Sequence, residues 1–151
     1  MSIIIKYTKT SGRANIPVRH YPLDAGFDLE SIYTVIVPPL DPKFGFNITE
    51  VPTGIAIEMP DIMYARITGR SSAMRNSKLM VVEGIVDGDY RGELVFGVVN
   101  LSPNEVIVER GTRLAQLIFH LNHSPNIEWK EVLELTSSAR GVKGFGSTGG
   151  L

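Results

Sequence analysis

A short segment, residues 84–92 (GIVDGDYRG), combines a side chain suited to general-base chemistry with the residues of a tight turn. A carboxylate is a common general base in enzymes, so Asp87 is a candidate to accept a proton from water. Tyr90 adds an aromatic ring three residues later. Asp87-Gly88 lies between two apolar runs, which is typical of a β-hairpin, and a plain surface turn is the alternative interpretation.

A second segment, residues 69–72 (GRSS), has the composition of an anion site. Its pattern predicts a short helix over residues 69–77, capped by Ser71 or Ser72. Arg70 and the serine hydroxyls would then lie beside the N–H groups of a helix N-terminus, which attract anions. An ordinary helix cap without a ligand is the alternative.

The glycine-rich segment near the C-terminus, residues 140–149 (RGVKGFGSTG), offers another kind of anion site. Glycines allow backbone N–H groups to converge on an anion. Charges and hydroxyl groups accompany them at Arg140, Lys143, Ser147 and Thr148. Phe145 is the aromatic residue of the segment and could stack on a planar ligand. A disordered tail is the alternative interpretation.

Two more polar segments lie beside turns. Asp24 and Asp28 flank a turn near residue 26, and the alternative for this segment is a surface loop. Arg113 and Gln116 lie where an apolar run begins, and a turn with solvated charges would account for them equally well. Each of these signals is weak when it is taken alone.

Composition excludes several classes of function. Fifteen basic against sixteen acidic residues give a net charge of −1, so no overall field attracts nucleic acid or an anionic membrane. The absence of cysteine excludes disulfides and thiolate chemistry. No apolar run approaches the roughly 20 residues of a membrane span, and the N-terminus lacks a signal-peptide pattern. We therefore expect a cytoplasmic protein, or a nuclear or host-cell one if its source is eukaryotic or viral.

Short apolar runs separated by turn residues predict an all-β fold, an antiparallel sandwich or barrel. The runs are residues 3–7, 35–37, 54–59, 64–67, 94–99, 106–108 and 114–119. We also favour a strand over residues 126–135, where the pattern allows a helix as well. The domain organisation expected is one β-barrel domain over residues 1–138, followed by a mobile glycine-rich arm over residues 139–151.

The order and gaps of five segments resemble the five motifs of the trimeric deoxyuridine triphosphatase (dUTPase) family. They are AGFDL at 25–29, GRSS at 69–72, GIVDGDYRG at 84–92, RGTRLAQ at 110–116 and RGVKGFGSTG at 140–149. The resemblance implies an antiparallel jelly-roll-like β-barrel with one short helix, assembled as a homotrimer. The C-terminal arm of one subunit would close an active site formed by the other two.

The implied reaction is hydrolysis of dUTP to dUMP and pyrophosphate, which keeps uracil out of DNA and supplies dUMP for thymidylate synthesis. By resemblance, Asp87 deprotonates the water that attacks the α-phosphorus. Tyr90 packs under the deoxyribose and leaves no room for a 2′-hydroxyl. The cofactor is Mg²⁺, held mainly by the substrate phosphates, with Asp28 acting on it through water.

The resemblance assigns the remaining site residues to substrate binding. The backbone of residues 82–87, including Gly84, Ile85 and Val86, would read the polar edge of uracil. Phosphate contacts are implied for Arg70, Ser71, Ser72 and Gln116, with Arg113 in support. In the arm, Arg140 would clamp the γ-phosphate, Phe145 would stack on uracil, and Gly146, Ser147 and Thr148 would wrap the phosphates. Val82 and Glu83 depart from the small residues or asparagine that the family often has there.

Two alternatives remain open at this stage. The related dCTP deaminases have a glutamate on the strand after the third motif, where this chain has Gly97. The other alternative is a protein of the same fold that acts mainly as a protein-binding regulator. The segment over residues 38–51 looks longer than is usual in the family and is where we expect an additional protein partner to bind.

Overall fold

The computed structural model describes residues 2–40, 43, 45, 47–139 and 141–142. Over these residues the chain forms mainly β-strands, with one α-helix and one short 3-10 helix. The strands are β1 (Lys6–Lys9), β2 (Gly26–Glu30), β3 (Val35–Val37), β4 (Thr49–Glu58), β5 (Met63–Gly69), β6 (Leu79–Val82), β7 (Gly84–Val86), β8 (Glu93–Asn100), β9 (Val106–Val108) and β10 (Arg113–Leu121). The α-helix is α1 (Ser71–Ser77), and the 3-10 helix spans Ser124–Asn126. None of the helices in this part of the chain has the length and apolarity to cross a bilayer.

Two antiparallel four-stranded sheets enclose the core. Their strand orders are β1-β4-β8-β6 and β2-β10-β5-β7, and β3 pairs with β9 in a separate two-stranded sheet. Leu29, Ile67 and Leu117 of one sheet share a buried cluster with Ile55 and Phe96 of the other. The predicted all-β architecture is confirmed, because nearly every apolar run identified in the sequence contributes its buried residues to this interior.

A bulge in β4 has consequences for the start of β8. The register between the two strands shifts between Pro52 and Ala56, and Gly54 has a φ of +67°. Only glycine adopts this conformation readily, and a Cβ here would lie 2.8 Å from the Cβ of Ala14. At the bulge, the N–H of Gly54 donates to the side-chain Oε1 of Glu93 at 2.8 Å. The bulge therefore anchors the first residue of β8.

The predicted hairpin at Asp87-Gly88 is wrong. β7 pairs with β5 in one sheet, whereas β8 pairs with β4 and β6 in the other. Residues 87–92 carry the chain between the sheets, with a tight turn in which the N–H of Tyr90 donates to the carbonyl of Asp87 at 3.1 Å. The dipeptide marks a turn correctly, but the pairing of each strand is decided by the partner that covers its apolar face.

The helix lies where the sequence predicts it, but neither serine is its cap. Arg70 is the N-cap, with extended backbone and no side-chain capping bond. Its N–H donates to the carbonyl of Leu114 at 2.8 Å, which holds Arg70 in the extended conformation that ends β5. The helix therefore starts at the next residue and ends at Ser77, followed by Lys78 as the C-cap with a φ of +57°.

The strand predicted over residues 126–135 is also wrong. Beyond Asn126, the described residues form no strand or helix, and the side chain of Trp129 is 98% exposed. The apolar residues of this segment alternate well enough for a strand. A strand also needs a neighbouring backbone, and no described strand of the chain pairs with this segment.

Candidate active site

A cavity of about 200 Å³ opens between β7 and the start of β8, and we call it the β7–β8 cavity. Its lining is formed by Ile67, Gly84, Ile85, Val86, Asp87, Tyr90, Glu93, Leu94 and Val95. Gly84, Ile85, Val86, Asp87 and Tyr90 were all predicted as site residues from the sequence. The structure therefore brings this part of the predicted site into one place.

The wall formed by β7 presents backbone as well as side chains. β7 lies at the edge of its sheet, where β5 is its partner among the described strands. The outer edge of such a strand carries N–H and C=O groups that no neighbouring strand uses. Val86 is buried in the core, while Ile85 is 60% exposed and Asp87 is exposed beside it. The cavity can thus offer fixed donors and acceptors next to an accessible carboxylate.

Tyr90 is held over the cavity by contacts at both ends. Its hydroxyl donates to the carbonyl of Glu93 at 3.0 Å. Nη1 of Arg91 donates to the carbonyls of Gly88 at 2.8 Å and of Tyr90 itself at 3.0 Å, and these two bonds stabilise the turn. The ring is nonetheless 46% exposed, so one of its faces remains available to a ligand.

Glu93 was not identified from the sequence, yet it connects the cavity to the rest of the fold. Its Oε1 accepts the bond from Gly54 described above, and its Oε2 accepts from Oγ1 of Thr10 at 2.8 Å. With both carboxylate oxygens bound, the residue is fixed, and so is the carbonyl that receives the hydroxyl of Tyr90. No local sequence signal points to this role, because the partners come from β4 and from the loop after β1.

A second group of predicted residues meets at the end of β5, and we call it the arginine–aspartate cluster (Asp28, Arg70, Arg113 and Gln116). Oδ1 of Asp28 lies 2.8 Å from Nε of Arg70, and Oδ2 lies 3.6 Å from Nη1 of Arg113. Nη1 of Arg70 also donates to the carbonyl of Arg113 at 3.0 Å. Two guanidinium groups thus share one carboxylate, which leaves a net positive charge suited to an anion.

Gln116 completes the cluster. In the sheet, Gln116 of β10 lies opposite Asp28 of β2 on one side and Thr68 of β5 on the other. Its side-chain Nε2 donates to the carbonyl of Gly69 at 3.3 Å. The side chain passes directly over Gly26, where a Cβ would lie 2.2 Å from its Oε1. Sequence reasoning missed Gly26, although a glycine inside a strand signals a close approach of this kind.

The other predicted residues lie outside these contacts. Ser71 and Ser72 begin α1 directly after Arg70, with Ser71 exposed and Ser72 partly buried. The predicted arm residues Arg140, Phe145, Gly146, Ser147 and Thr148 lie outside the described residues. Among the residues that are described, no side-chain hydrogen bond or ion pair joins the β7–β8 cavity to the arginine–aspartate cluster.

Glu83, which departs from the family pattern, is tied to β5. Its carboxylate binds Nη2 of Arg66 and accepts a bond from Oγ1 of Thr68 at 3.0 Å. The hydrogen bond from Arg66 and then that from Thr68 hold the pKa of the Glu83 carboxyl below its ordinary value. Glu83 immediately precedes β7, so this contact fastens the start of the strand that lines the β7–β8 cavity.

Three comparisons with known proteins agree with this geometry. A family model described as dUTPase matches residues 12–149. The deoxyuridine 5'-triphosphate nucleotidohydrolase of Yaba monkey tumor virus is 37% identical over 150 residues, covering 99% of each chain. The protein of that name from Paramecium bursaria Chlorella virus 1 is 37% identical over 148 residues, covering 98% of each. A mutant dUTPase of Staphylococcus bacteriophage 80alpha, solved with dUpNHpp, is similar with a TM-score of 0.85 and 25% identity, covering 97% of this chain and 98% of that one.

Proposed function

The chain belongs to the dUTPase family, and we propose that it hydrolyses dUTP to dUMP and pyrophosphate. The observation that carries this proposal is the position of Asp87. Its exposed carboxylate lies at a cavity whose wall is the free edge of β7 and whose rim is the ring of Tyr90. A nucleobase bound to that edge would extend its sugar towards Tyr90 and its α-phosphate towards Asp87.

Recognition of uracil is assigned to the backbone of residues 82–87. Uracil presents one N–H donor between two carbonyl acceptors, a pattern that the outer edge of a β-strand can match. Cytosine has an amino group and an unprotonated nitrogen at two of these positions, so buried backbone groups would be left without partners. Such losses cost about 1–3 kcal/mol for each group, which is enough for strong discrimination.

Asp87 is assigned the role of general base. It accepts a proton from a water molecule as the water oxygen bonds to the α-phosphorus, and the bond from that phosphorus to the bridging oxygen breaks. Pyrophosphate leaves with the bonding electrons, and the proton remains on the carboxylate until solvent removes it. Phosphoryl transfer mainly requires positioning and neutralised charge, so one carboxylate can meet the demand on the protein's own acid–base groups.

The arginine–aspartate cluster is assigned to the phosphates, with Ser71 and Ser72 beside it. Arg70 is pre-oriented by Asp28, and Gln116 lies across the same strand end. Within the described residues no three acidic or histidine side chains form a group that could hold a metal ion. We assign Mg²⁺ to the triphosphate of the substrate, where the ion would neutralise phosphate charge and keep most of its water ligands.

A homotrimer with shared sites is part of the proposal. Among the described residues no side-chain hydrogen bond or ion pair joins the cavity to the cluster, so each could complete the site of a different subunit. Exposed apolar residues of the C-terminal segment, including Trp129 and Leu133, also favour burial against another copy. The mass of the protein in solution, measured by light scattering, should equal three copies of the 16.6 kDa chain.

The test is pyrophosphate release with Mg²⁺, given dUTP, dCTP, dTTP and UTP in parallel. We expect release from dUTP alone, and an Asp87→Asn variant should lose turnover while still binding dUTP. A folded protein that releases no pyrophosphate from dUTP would contradict the proposal. Ammonia released from dCTP would instead favour the deaminase alternative.

An additional protein partner at residues 38–51 is a separate prediction. Residues 49–51 already pair with β8, and Val51 is fully buried, so a deletion must stop before Thr49 to spare the core. Replacing residues 39–47 with a short glycine-serine linker should leave dUTP hydrolysis intact. Loss of a bound partner in this variant would support a second role for the segment.

A further inference from the structure

The ring of Tyr90 lies where the side chain of residue 92 would otherwise be. A Cβ built on Gly92 would lie 2.3 Å from the hydroxyl oxygen of Tyr90, 2.5 Å from Cζ and 2.9 Å from Cε2. Separations below 3.0 Å are not found for real Cβ atoms, so one of the two groups would have to move. The contact includes rigid ring atoms, and a rotation of the whole ring would be needed to relieve it.

The requirement for glycine at this position concerns space and not backbone conformation. Gly92 is absent from the glycines with positive φ, which among the described residues are Gly45, Gly54, Gly111 and Gly141. An alanine could therefore adopt the same backbone without strain. The effect of any side chain at position 92 should fall on the ring of Tyr90 and little on the fold.

The ring has no free alternative position that keeps its hydrogen bond. The hydroxyl of Tyr90 is bound to the carbonyl of Glu93, and the carboxylate of Glu93 is held by Gly54 and Thr10. A ring displaced from Gly92 must break the bond to this fixed carbonyl. Its tilt over the β7–β8 cavity would then change.

We infer that Gly92 is a positioning residue for sugar selection, because the space it leaves sets the ring of Tyr90 against the deoxyribose. This inference rests on the proposed function. If the ring excludes a 2′-hydroxyl by its close fit, a side chain at position 92 should displace the ring and admit ribonucleotides. Gly92 would thus determine specificity without touching the substrate.

The experiment measures kcat/KM for dUTP and for UTP in the wild-type protein and in Gly92→Ala. We expect the ratio of the two values to fall by about tenfold or more, the scale on which pocket shape discriminates between similar substrates. Gly12→Ala is the matched control, because a Cβ on Gly12 meets nothing within 4 Å and its φ is not positive. Its ratio should equal that of the wild type.

A double-mutant cycle with Tyr90→Ala separates the effect on the ring from any other effect. Once the ring is removed, adding Gly92→Ala should change the ratio by less than about twofold, since nothing remains to be displaced. A variant that is merely less stable would lose activity towards both substrates and keep the ratio, and this result would overturn the inference. An equal fall in ratio with and without the ring would overturn it too.

The same measurements distinguish failure of the inference from failure of the proposed function. Wild-type protein that hydrolyses dUTP, combined with an unchanged ratio in Gly92→Ala, would overturn the inference alone. Wild-type protein that is inactive on dUTP would overturn both.

Discussion

Asp28 and Arg70 form an ion pair in which the carboxylate is almost completely buried and the guanidinium is not. Oδ1 of Asp28 lies 2.8 Å from Nε of Arg70, with the two side chains 9% and 31% exposed. A buried carboxylate needs fixed donors, and here one is supplied by a partly exposed arginine that has further N–H groups for a ligand. We therefore expect the aspartate to orient the arginine for binding an anion.

Replacing Asp28 with asparagine should weaken both the fold and substrate binding. The variant loses a charge-assisted hydrogen bond of about 2 kcal/mol and leaves Arg70 and Arg113 without their shared counter-charge. We expect a lower free energy of unfolding in urea and a higher KM for dUTP. Glu58→Gln is the control, since Glu58 pairs with Lys6 on an exposed surface.

The outcome also decides between two roles of Asp28. A KM that excess Mg²⁺ restores would favour the role implied by the family resemblance, in which Asp28 acts on the metal through water. A KM that stays high at every Mg²⁺ concentration would favour the positioning of Arg70. A variant no less stable than Glu58→Gln, with an unchanged KM, would contradict both roles.

Gly26→Ala should raise the KM for dUTP through Gln116. The added Cβ would lie 2.2 Å from Oε1 and 2.8 Å from Cδ of Gln116, so the amide must rotate away and lose its bond to Gly69. Loss of one phosphate contact is worth about tenfold in affinity. Steady-state kinetics in a Gln116→Ala background should show no further effect of Gly26→Ala, and an additional effect there would show that the glycine acts elsewhere.

Glu83 should stabilise the protein near neutral pH and lose this effect in acid. Its pKa is held below the ordinary glutamate value of 4.5 in the folded protein by Arg66 and Thr68, and the same contact raises the pKa of Arg66. The stabilisation is therefore present above the unfolded pKa and disappears as the pH falls through the folded pKa. Salt should also weaken it, because both side chains are exposed.

The measurement for Glu83 compares the Tm of the wild type with that of Glu83→Gln. We expect a small difference in favour of the wild type at about pH 7 that shrinks as the pH falls through the folded pKa and vanishes once the carboxylate is protonated in both states. Thr34 offers a control of similar exposure, because Thr34→Ala removes a hydroxyl that contacts Glu109 on another face. A difference that grows on acidification would contradict the assignment of the ion pair.

Local pattern was sufficient to predict much of this fold. Val35–Val37 and Val106–Val108 were identified with their observed bounds, because each is a short apolar run between turn residues and buries alternate side chains. The position of α1 was also correct. Its cap was not, since the bond from Arg70 to Leu114 joins residues far apart in sequence. Pattern alone carries no information about such a partner.

In the candidate site, too, the contacts between residues far apart in sequence could not be predicted. Asp87, Tyr90 and Gly84 could be placed in one cavity because they lie within a single turn and the strand before it. The assignment of Asp28 to a metal through water stays a prediction, but its ion pairs with Arg70, after β5, and Arg113, in β10, were not predicted. Side chains within a motif can be predicted together, but the contacts between motifs depend on sheet order, which a single sequence does not give.

Removing residues 139–151 should abolish most of the activity and leave the fold intact. The described core residues all lie between Ala14 and Leu117, and the last of the described strands ends at Leu121. Urea unfolding of the truncated protein should therefore match the wild type. The family resemblance assigns Arg140 to the γ-phosphate and Phe145 to uracil, so without them kcat/KM for dUTP should fall by at least about 100-fold. Removal of residues 150–151 alone is the matched control, because these lie beyond the last motif and should be dispensable. Full turnover by the longer truncation would show that the site needs no C-terminal arm, and the roles given to Arg140, Phe145, Gly146, Ser147 and Thr148 would then be wrong.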